Sequence, residues 1–263
     1  MSILLQFLFK YFIELTGNPV ASSILKSFTS SRLSYPLVRP FANVYHLNQD
    51  EMAKPIGNYK SLQTLFTRHL AEGVRPVDTS PYSLVSPVDG IVSDSGRISS
   101  NQTFYIKNKL YRTEKILGSS EKAATYKGGY FFIIYLSPRH YHRMHYPIKG
   151  ELLSRWYLGG KSYPVNSLGE RFGNHPFSTN YRVTSEIATD YGKVAIVKVG
   201  ALNINSIELT HATTDFEKGD ELGYFSFGST VILFIEPSNL FKPTINVQSE
   251  VEVGQPIGEW LNK

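Results

Sequence analysis

A change of pattern near residue 76 is the feature that most constrains the fold of this chain. Beyond it, short apolar or alternating runs are bounded by Gly, Pro, Asn and Asp, as is typical of β-strands. The clearest are 130–136, 194–199 and 230–235, which are rich in Val, Ile, Tyr and Phe. Because no helical segments alternate with these strands, the pattern predicts a predominantly antiparallel β domain over 76–263 rather than a parallel α/β sheet.

Before that boundary, the pattern is helical and is cut repeatedly by proline. Pro36, Pro40 and Pro55 each stop or start a helix, so several short helices are expected. Residues 59–70 carry Leu and Phe at spacings of three and four, which predicts a helix with one buried face. The predicted fold class is therefore α+β, with a helical, membrane-associating region over 1–75 in front of the β-rich domain.

The first apolar segment, residues 3–15, has the character of an interfacial helix. Its polar residues Gln6, Lys10 and Glu14 are spaced by four and form one narrow stripe. At about 1.5 Å per residue the segment reaches roughly 20 Å, short of the roughly 30 Å of a bilayer core. We expect it to lie in the membrane surface, with packing on the protein's own core or on a second subunit as the alternative. Pro19 suits the first turn of a second helix.

The net charge and the composition limit the classes of binding partner that this chain is expected to have. The net charge of +5 favours a polyanion, but there is no dense basic block, zinc-finger spacing or RNA-binding signature, so an anionic lipid surface is preferred over nucleic acid. The absence of cysteine excludes disulfides and thiolate nucleophiles. The first 30 residues contain no arginine, and no basic residue precedes the apolar run. These features favour the cytoplasmic face of a bacterial membrane over a mitochondrion or an exported protein.

The densest group of titratable residues follows the apolar strand at 130–136. His140, His142 and His145, three of the seven histidines, lie within six residues of one another. Such a cluster indicates acid–base chemistry or metal binding. A three-histidine zinc site is one interpretation, but Arg139 and Arg143 would place positive charge beside the ion. The others are a general base for a hydroxyl nucleophile elsewhere and an ordinary solvated loop.

Two further motifs are weak when taken alone. Gly228 and Ser229 precede Thr230 at the start of an apolar strand, and they could equally be a turn that enters that strand. Asp89 lies in the Ser-Pro-Val-Asp-Gly sequence at 86–90, which is first of all a β-turn signal. Each motif therefore offers a hydroxyl or a carboxylate without proving a function.

Taken together and in order, these patterns resemble the phosphatidylserine decarboxylases. The resemblance consists of a Ser-Pro-x-Asp-Gly turn, a Tyr-His-Arg-x-His-x-Pro loop and a Gly-Ser-Thr near the C-terminus. It extends to residues 59–70, 75–76, 165–166, 180, 182–183, 199–201 and 218–220. It implies a membrane-associated enzyme of phospholipid biosynthesis that converts phosphatidylserine to phosphatidylethanolamine and CO2.

The resemblance also implies self-cleavage between Gly228 and Ser229. Ser229 Oγ attacks the Gly228 carbonyl, and the resulting ester breaks down to leave a pyruvoyl group at position 229. The precursor becomes a large β chain and a small α chain of 35 residues, 229–263. By the same resemblance, Asp89 orients and charges His145, and His145 takes the proton from Ser229, as in a serine protease triad.

In the mature enzyme, the resemblance makes the pyruvoyl ketone the electron sink of the reaction. It condenses with the substrate amine and does the work that pyridoxal phosphate does elsewhere, so no diffusible cofactor is expected. His142 is the implied acid that delivers a proton to the carbon that has lost CO2. A homodimer of chain pairs is a family-level expectation.

The sequence departs from the family pattern at two positions. His140 stands where the family usually has Asp, and Phe227 stands where Leu is common. Neither change removes a group that the mechanism needs, but the loss of a negative charge could lower the pKa values of the neighbouring histidines. A zinc-dependent hydrolase using His140, His142 and His145 is the alternative function, and a non-catalytic lipid-binding β-domain is a third.

Overall fold

The computed structural model describes residues 19–106, 109–161, 163, 165, 175–201, 207–211, 213–226 and 229–261. Three of the features expected from the sequence lie outside these residues. They are the interfacial helix at 3–15, Phe227, and Gly228 of the expected cleavage site.

The N-terminal part of the described chain consists of short helices. They are α1 (Pro19–Ser30), a 3-10 helix (Arg32–Leu37), α2 (Val38–Val44), a 3-10 helix (Ile56–Asn58) and α3 (Leu62–Phe66). Pro19 is the first described residue of α1, and the predicted start of the helix at this proline stays a prediction. Within the described residues, no helix is both long enough and apolar enough to span a bilayer. The division of the chain at residue 76 stays a prediction.

Helix α3 is shorter than the helix predicted over 59–70 because its ends are set by local polar groups. The Ser61 side chain accepts the Thr64 N–H, and Thr64 Oγ1 accepts the Ser61 N–H at 3.0 Å, which forms a capping box. The buried face predicted for this region is present. Leu62, Leu65 and Phe66 pack in one cluster with Phe41 of α2.

The rest of the described chain is dominated by strands, with three short helices between them. The strands are β1 (Ser83–Val85), β2 (Gly90–Arg97), β3 (Thr103–Ile106), β4 (Lys109–Arg112), β5 (Tyr130–Leu136), β6 (Arg143–His145), β7 (Gly150–Leu158), β8 (Arg182–Thr189), β9 (Gly192–Gly200), β10 (Ile207–Leu209), β11 (Asp215–Phe216), β12 (Glu221–Phe225), β13 (Ser229–Ile235), β14 (Phe241–Pro243), β15 (Glu250–Val251) and β16 (Pro256–Trp260). The helices are α4 (Thr113–Leu117), α5 (Ser120–Thr125) and α6 (Pro176–Thr179).

The largest sheet has eight strands in the order β11-β7-β8-β9-β13-β5-β2-β15. Its paired strands are antiparallel throughout. The three strands predicted most clearly, β5, β9 and β13, are neighbours at its centre. The α+β class with a predominantly antiparallel sheet is thus confirmed.

Both faces of the central strands are buried, which explains why their sequences are continuously apolar. Val231 and Leu233 of β13 point into one hydrophobic cluster, whereas Ile232 and Phe234 point into a second cluster on the opposite face. The first cluster also takes in Leu222 and Phe225 of β12, from the small sheet β10-β12-β6. In that small sheet, β6 carries His145, and β12 comes shortly before the start of β13 in the chain.

The core of the large sheet contains a lysine for which the described residues offer no ionic partner. Lys198 of β9 is fully buried, and its Nζ donates to Ser185 Oγ at 2.6 Å. Burial, and then the nearby positive charge of Arg155, lowers the pKa of Lys198 well below its ordinary value. Because the unfolded chain binds this proton more tightly than the folded chain does, this group opposes folding below the unfolded pKa of about 10.4, and the cost is lost above it.

We therefore expect Lys198→Met to stabilise the protein at pH 7 by about 1–4 kcal/mol. The change in the free energy of unfolding is measured in urea, with and without Lys198→Met. Both chains carry Ser229→Ala, which prevents the self-cleavage expected at that residue. The gain should shrink as the pH rises towards 10. Lys193→Met, at a half-buried position of the same strand, is the matched control and should change stability little. A loss of stability in Lys198→Met would contradict the prediction.

Candidate active site

Asp89 lies in the turn between β1 and β2 and is 4% exposed. Its Oδ1 accepts the Val253 N–H at 2.8 Å, and its carboxylate accepts Arg75 Nε at 3.1 Å and Arg75 Nη2 at 2.8 Å. The next residue must be glycine, since a Cβ at Gly90 would lie 2.6 Å from the Tyr135 carbonyl oxygen. The turn therefore presents a carboxylate that is already paired.

Arg75 joins three acidic side chains from different parts of the chain. Besides Asp89, its Nη2 lies 2.9 Å from Glu51 Oε2 and 3.5 Å from Glu252 Oε1. Burial, the largest single influence, lowers the pKa of Arg75, but hydrogen bonds to Asp89 and Glu51 outweigh it and raise the pKa overall. From the sequence alone, Arg75 is part of the family resemblance but has no assigned role.

His145 is held by main-chain groups of two turns. The main-chain N–H of His145 donates to the Pro87 carbonyl at 2.8 Å. Its ring Nδ1 lies 2.7 Å from the Gly219 carbonyl oxygen. Since a carbonyl only accepts, Nδ1 carries the proton, and Nε2 is left to accept from the Tyr141 hydroxyl at 3.4 Å. The imidazole is thus oriented as the neutral Nδ1–H form.

A hydrogen bond from the His145 ring to the Asp89 carboxylate, as a serine protease triad would have, is absent from the described contacts. The Gly219 carbonyl occupies the orienting position, and the charge of Asp89 acts only through space. Burial lowers the pKa of His145, while the Gly219 hydrogen bond and the charges of Glu221 and Asp89 partly oppose this. The environment of His145 therefore favours its neutral form.

The turn that carries Gly219 has a conformation that suits glycine. Gly219 has a φ of 91°, and a Cβ there would lie 2.7 Å from the Val77 side chain. Lys218 Nζ anchors the turn by donating to Ser83 Oγ at 2.8 Å and to the Ser80 carbonyl at 2.5 Å. The Lys-Gly-Asp sequence was visible at the sequence level, but its contact with His145 was not.

His142 is fully buried and has one unsatisfied nitrogen. Its Nδ1 lies 2.9 Å from the His140 carbonyl oxygen, so Nδ1 carries the proton. Its Nε2 has no hydrogen-bond partner among the described residues. Its ring packs on Phe66 of α3, with centroids 3.8 Å apart. Burial, followed by the charge of Arg68, lowers the pKa of His142 well below its ordinary value.

Ser229 opens β13 and is fully buried. It pairs with Leu136 of β5 on one side and Gly200 of β9 on the other. By the alternation of β13, its side chain shares a face with Val231. Ser229 Oγ, like His142 Nε2, lacks a hydrogen-bond partner in the described part of the chain. Buried polar atoms of this kind are costly and uncommon.

The ribbon formed by β6 and β12 orders the two histidines relative to Ser229. The Phe225 N–H donates to the His142 carbonyl at 2.9 Å, whereas His145 pairs with Glu221. The end of β12 at Phe225 leads towards Ser229, and His142 lies beside that end. At roughly 3.3 Å per residue, His145 lies about 10 Å further from it along the ribbon. The ribbon therefore favours His142 as the nearer histidine, and a direct contact between His145 and Ser229 stays a prediction.

His140 takes part in a separate network. Its Nδ1 accepts the Ser137 N–H at 2.9 Å, and its Nε2 lies 3.1 Å from Glu250 Oε1. Burial lowers the pKa of His140, and the hydrogen bond to Glu250 opposes this. Its charge also adds a lowering influence on the pKa of His142, after burial and Arg68.

The three clustered histidines therefore face different partners. In the ranges covered by the structure, no group of three or more His, Cys, Asp or Glu side chains is arranged to hold a metal ion. The zinc-site interpretation finds no support in this geometry.

An open polar cavity adjoins these groups. Its lining includes Asp89, Arg75, Arg68 and Tyr141 from the elements described above. His46, Asn48 and Glu51 of the helical region line its other side. A polar molecule from solvent can thus reach Arg68, which shares the His140 carbonyl oxygen with His142.

The Arg75 cluster predicts a large stability effect. Arg75→Gln leaves the buried Asp89 carboxylate without its cation and should cost about 3–5 kcal/mol in urea unfolding. Adding Asp89→Asn should recover part of that loss, because the two side chains are coupled. Arg112→Gln is the control, since Arg112 pairs with Glu114 at the surface and should cost under about 1 kcal/mol. Additive effects of the two Arg75 and Asp89 substitutions would contradict the assigned pairing.

Comparison with known proteins agrees with the motifs. The family model described as phosphatidylserine decarboxylase matches residues 62–259. The phosphatidylserine decarboxylase proenzyme of Geobacillus kaustophilus is 48% identical over 256 residues, which cover 97% of each chain. That of Halalkalibacterium halodurans is 45% identical over 253 residues, covering 96% of this chain and 98% of the relative. That of Anoxybacillus flavithermus is 47% identical over 259 residues and covers 97% of each chain.

Among solved structures, glucose permease IIA from Mycoplasma capricolum covers 67% of this chain and 93% of its own, at 16% identity and a TM-score of 0.33. That likeness is too low to inform the fold. The family model and the near full-length relatives are decisive, and the chain belongs to the phosphatidylserine decarboxylase family.

Proposed function

We propose that this protein is a self-cleaving proenzyme that decarboxylates phosphatidylserine to phosphatidylethanolamine, a step of phospholipid biosynthesis, by means of a pyruvoyl group made from Ser229. The observation that carries the proposal is Ser229 itself. It is a fully buried serine whose Oγ has no hydrogen-bond partner in the described chain, at the start of a central strand. The names of the relatives supply the substrate class and the proenzyme character.

Self-cleavage begins when Ser229 Oγ forms a bond to the Gly228 carbonyl carbon. The peptide bond between the two residues breaks, the nitrogen of residue 229 takes up a proton, and an ester replaces the amide. Elimination then frees the Gly228 carboxylate, and hydrolysis releases ammonia and leaves the ketone. A serine with no competing hydrogen bond is suited to such an attack.

His145 is the proposed base for this step. Its Nε2 is unprotonated because Nδ1 bonds the Gly219 carbonyl. The neighbouring carboxylate of Asp89 favours the protonated imidazole that forms when His145 takes the serine proton. Tyr141, whose hydroxyl lies 3.4 Å from Nε2, must give up that contact. Closer approach of His145 to Ser229 is required for the transfer.

The surroundings of Ser229 suit the prosthetic group derived from it. The position is buried on both sides by β5 and β9, so water is restricted, and His142 offers an unsatisfied nitrogen in the same buried region. When present, the pyruvoyl group supplies a ketone that binds the substrate amine and accepts the electron pair left by CO2.

His142 is the proposed proton carrier during turnover. Because burial and Arg68 keep it neutral, Nε2 can first take a proton from the substrate ammonium, which must be deprotonated before the amine reacts. The same nitrogen can then deliver this proton to the carbon that has lost CO2. Phe66 packs on its ring and keeps this part of the site apolar. An apolar site favours conversion of a charged carboxylate into neutral CO2.

We also propose that the protein works at an anionic membrane surface, on the cytoplasmic face of a bacterial cell, as a homodimer of chain pairs. The described helical region supports the lipid contact. Ile24 is 66% exposed and Leu33 is 77% exposed, beside exposed or half-buried cations such as Lys26 and Arg32. Apolar and basic side chains together favour an anionic lipid surface.

The decisive experiment is a denaturing gel with intact mass measurement. The wild-type chain should appear as two pieces, the smaller holding residues 229–263, about 4 kDa, with a ketone at its N-terminus. Ser229→Ala should remain one uncut and inactive chain, and His145→Gln should cleave at least about a hundredfold more slowly. An active wild-type protein with an unbroken backbone and an ordinary serine at 229 would overturn the proposal.

His142 separates cleavage from turnover. His142→Gln should still form two chains but should lose decarboxylation about a hundredfold or more. His69→Gln, at an exposed position of the same region, is the control and should retain both. If His142→Gln turns over substrate normally once cleaved, His142 is not the proton carrier.

Membrane association has its own test. Deletion of residues 1–15 should weaken co-sedimentation with vesicles of anionic phospholipid while self-cleavage, read on the same gel, continues. The binding should fall as salt rises, because the cations contribute through screened charge. Unchanged binding of the truncated chain would remove the interfacial helix from the proposal.

A further inference from the structure

Arg68 is a buried cation that forms no ion pair with any residue that the structure describes. It follows α3 and is 4% exposed. Its Nη2 donates to the carbonyl oxygens of Arg139 at 2.9 Å and His140 at 3.2 Å. Its Nε and Nη1 are buried without a hydrogen-bond partner among the described residues. Two unsatisfied donors on one buried guanidinium are costly unless an anion binds there.

The nearest carboxylates are already used by another cation. Asp89 and Glu51 both bind Arg75, at 2.8 Å and 2.9 Å. The two carbonyl contacts of Arg68 fix its guanidinium but do not neutralise its charge. Burial accordingly lowers the pKa of Arg68, and the nearby carboxylates of Asp89 and Glu51 only partly oppose this.

Tyr59 adds a second donor in the same place. Its side chain is 6% exposed and packs in one cluster with Leu65 and Phe66 of α3. Its oxygen interacts with the main chain of Lys54, and no described residue accepts its hydroxyl hydrogen. An aromatic hydroxyl and a guanidinium with free N–H groups together form a set of donors without an acceptor.

The location of Arg68 connects this set to the reaction. Arg68 Nη2 and His142 Nδ1 both donate to the His140 carbonyl oxygen, at 3.2 Å and 2.9 Å, so the two side chains meet at one atom. Phe66, two residues earlier, packs against the His142 ring. Arg68 also lines the open polar cavity, so a ligand can reach it from solvent.

We infer that Arg68, with the Tyr59 hydroxyl, binds the phosphate diester of the substrate's headgroup. The inference rests on the proposed function and names one of its binding groups. A guanidinium suits a phosphate because its parallel N–H groups match two phosphate oxygens. The phosphate would satisfy Nε and Nη1 and would balance the buried charge.

The substrate carboxylate is the competing anion, and the chemistry argues against it. An arginine on the carboxylate would stabilise the charged ground state and oppose its loss as neutral CO2. The phosphate diester keeps its charge throughout the reaction, so its binding costs nothing in the transition state. The apolar ring of Phe66 beside His142 is the better environment for the departing carboxylate.

The test compares two soluble probes on the mature, cleaved enzyme by calorimetric titration. Glycerophosphocholine carries a phosphate diester but no carboxylate, and its amine cannot condense with a ketone. N-acetylserine carries a carboxylate but no phosphate. Arg68→Met should weaken glycerophosphocholine binding by about tenfold to a hundredfold and leave N-acetylserine unchanged. Tyr59→Phe should weaken the first probe several-fold, and Arg68→Lys should lie between Arg68→Met and wild type.

The controls separate the inference from the fold and from the proposed function. Two-chain formation on a denaturing gel shows that each variant is folded, and Arg97→Met removes an exposed arginine at the far end of β2 without touching the site. Loss of N-acetylserine binding instead would assign Arg68 to the carboxylate and overturn the inference. Unchanged binding of both probes, with reduced turnover, would reduce Arg68 to a support for the 139–142 loop. Failure of the proposed function would appear separately, as an uncut wild-type chain.

Discussion

The register of β13 between β5 and β9 is the constraint on which the site depends. Every residue of β13 is buried, and its pairing with both neighbours is continuous from Ser229 to Ile235. A one-residue shift would exchange the faces of the strand and break both hydrophobic clusters. Core packing therefore holds Ser229 in one place, sealed between Leu136 and Gly200, although serine contributes nothing to that packing.

Main-chain carbonyls decide the chemical state of both histidines. Gly219 and His140 each offer a carbonyl oxygen to an Nδ1, which leaves Nε2 as the basic atom of both His145 and His142. Burial lowers the pKa of each ring, so both favour the neutral form. The two histidines differ at Nε2. The Tyr141 hydroxyl approaches Nε2 of His145, whereas Nε2 of His142 has no hydrogen-bond partner in the described chain. This difference is consistent with separate roles in cleavage and turnover.

Three arginines connect the helical region to the β-rich core. Arg75 pairs Glu51 with Asp89, Arg68 binds the carbonyls of the loop before His142, and Arg143 joins the Thr67 carbonyl to Glu221. The 3-10 helix that bears Leu33 joins this framework indirectly, through α3, since the Leu62 N–H donates to Ser34 Oγ at 3.0 Å.

The sequence by itself determined the elements and the chemical groups. Alternating and continuous apolar runs predicted β5, β9 and β13 because burial of those side chains is a local pattern along each strand. Proline positions predicted short helices and the start of α1 at Pro19, because proline acts on the backbone of its immediate neighbours. Three short motifs pointed to Asp89, the histidine loop and Ser229, and the relatives agree with the family that those motifs indicated.

Only the tertiary structure decided which groups meet. Asp89 pairs with Arg75 rather than His145, the Gly219 carbonyl orients His145, and Phe66 covers His142, because these contacts join segments far apart in the chain. Arg68 looked like an ordinary helix residue in the sequence. Its unbalanced charge exists only because the fold buries it away from every free carboxylate among the described residues, and distances of that kind are not encoded in any local pattern.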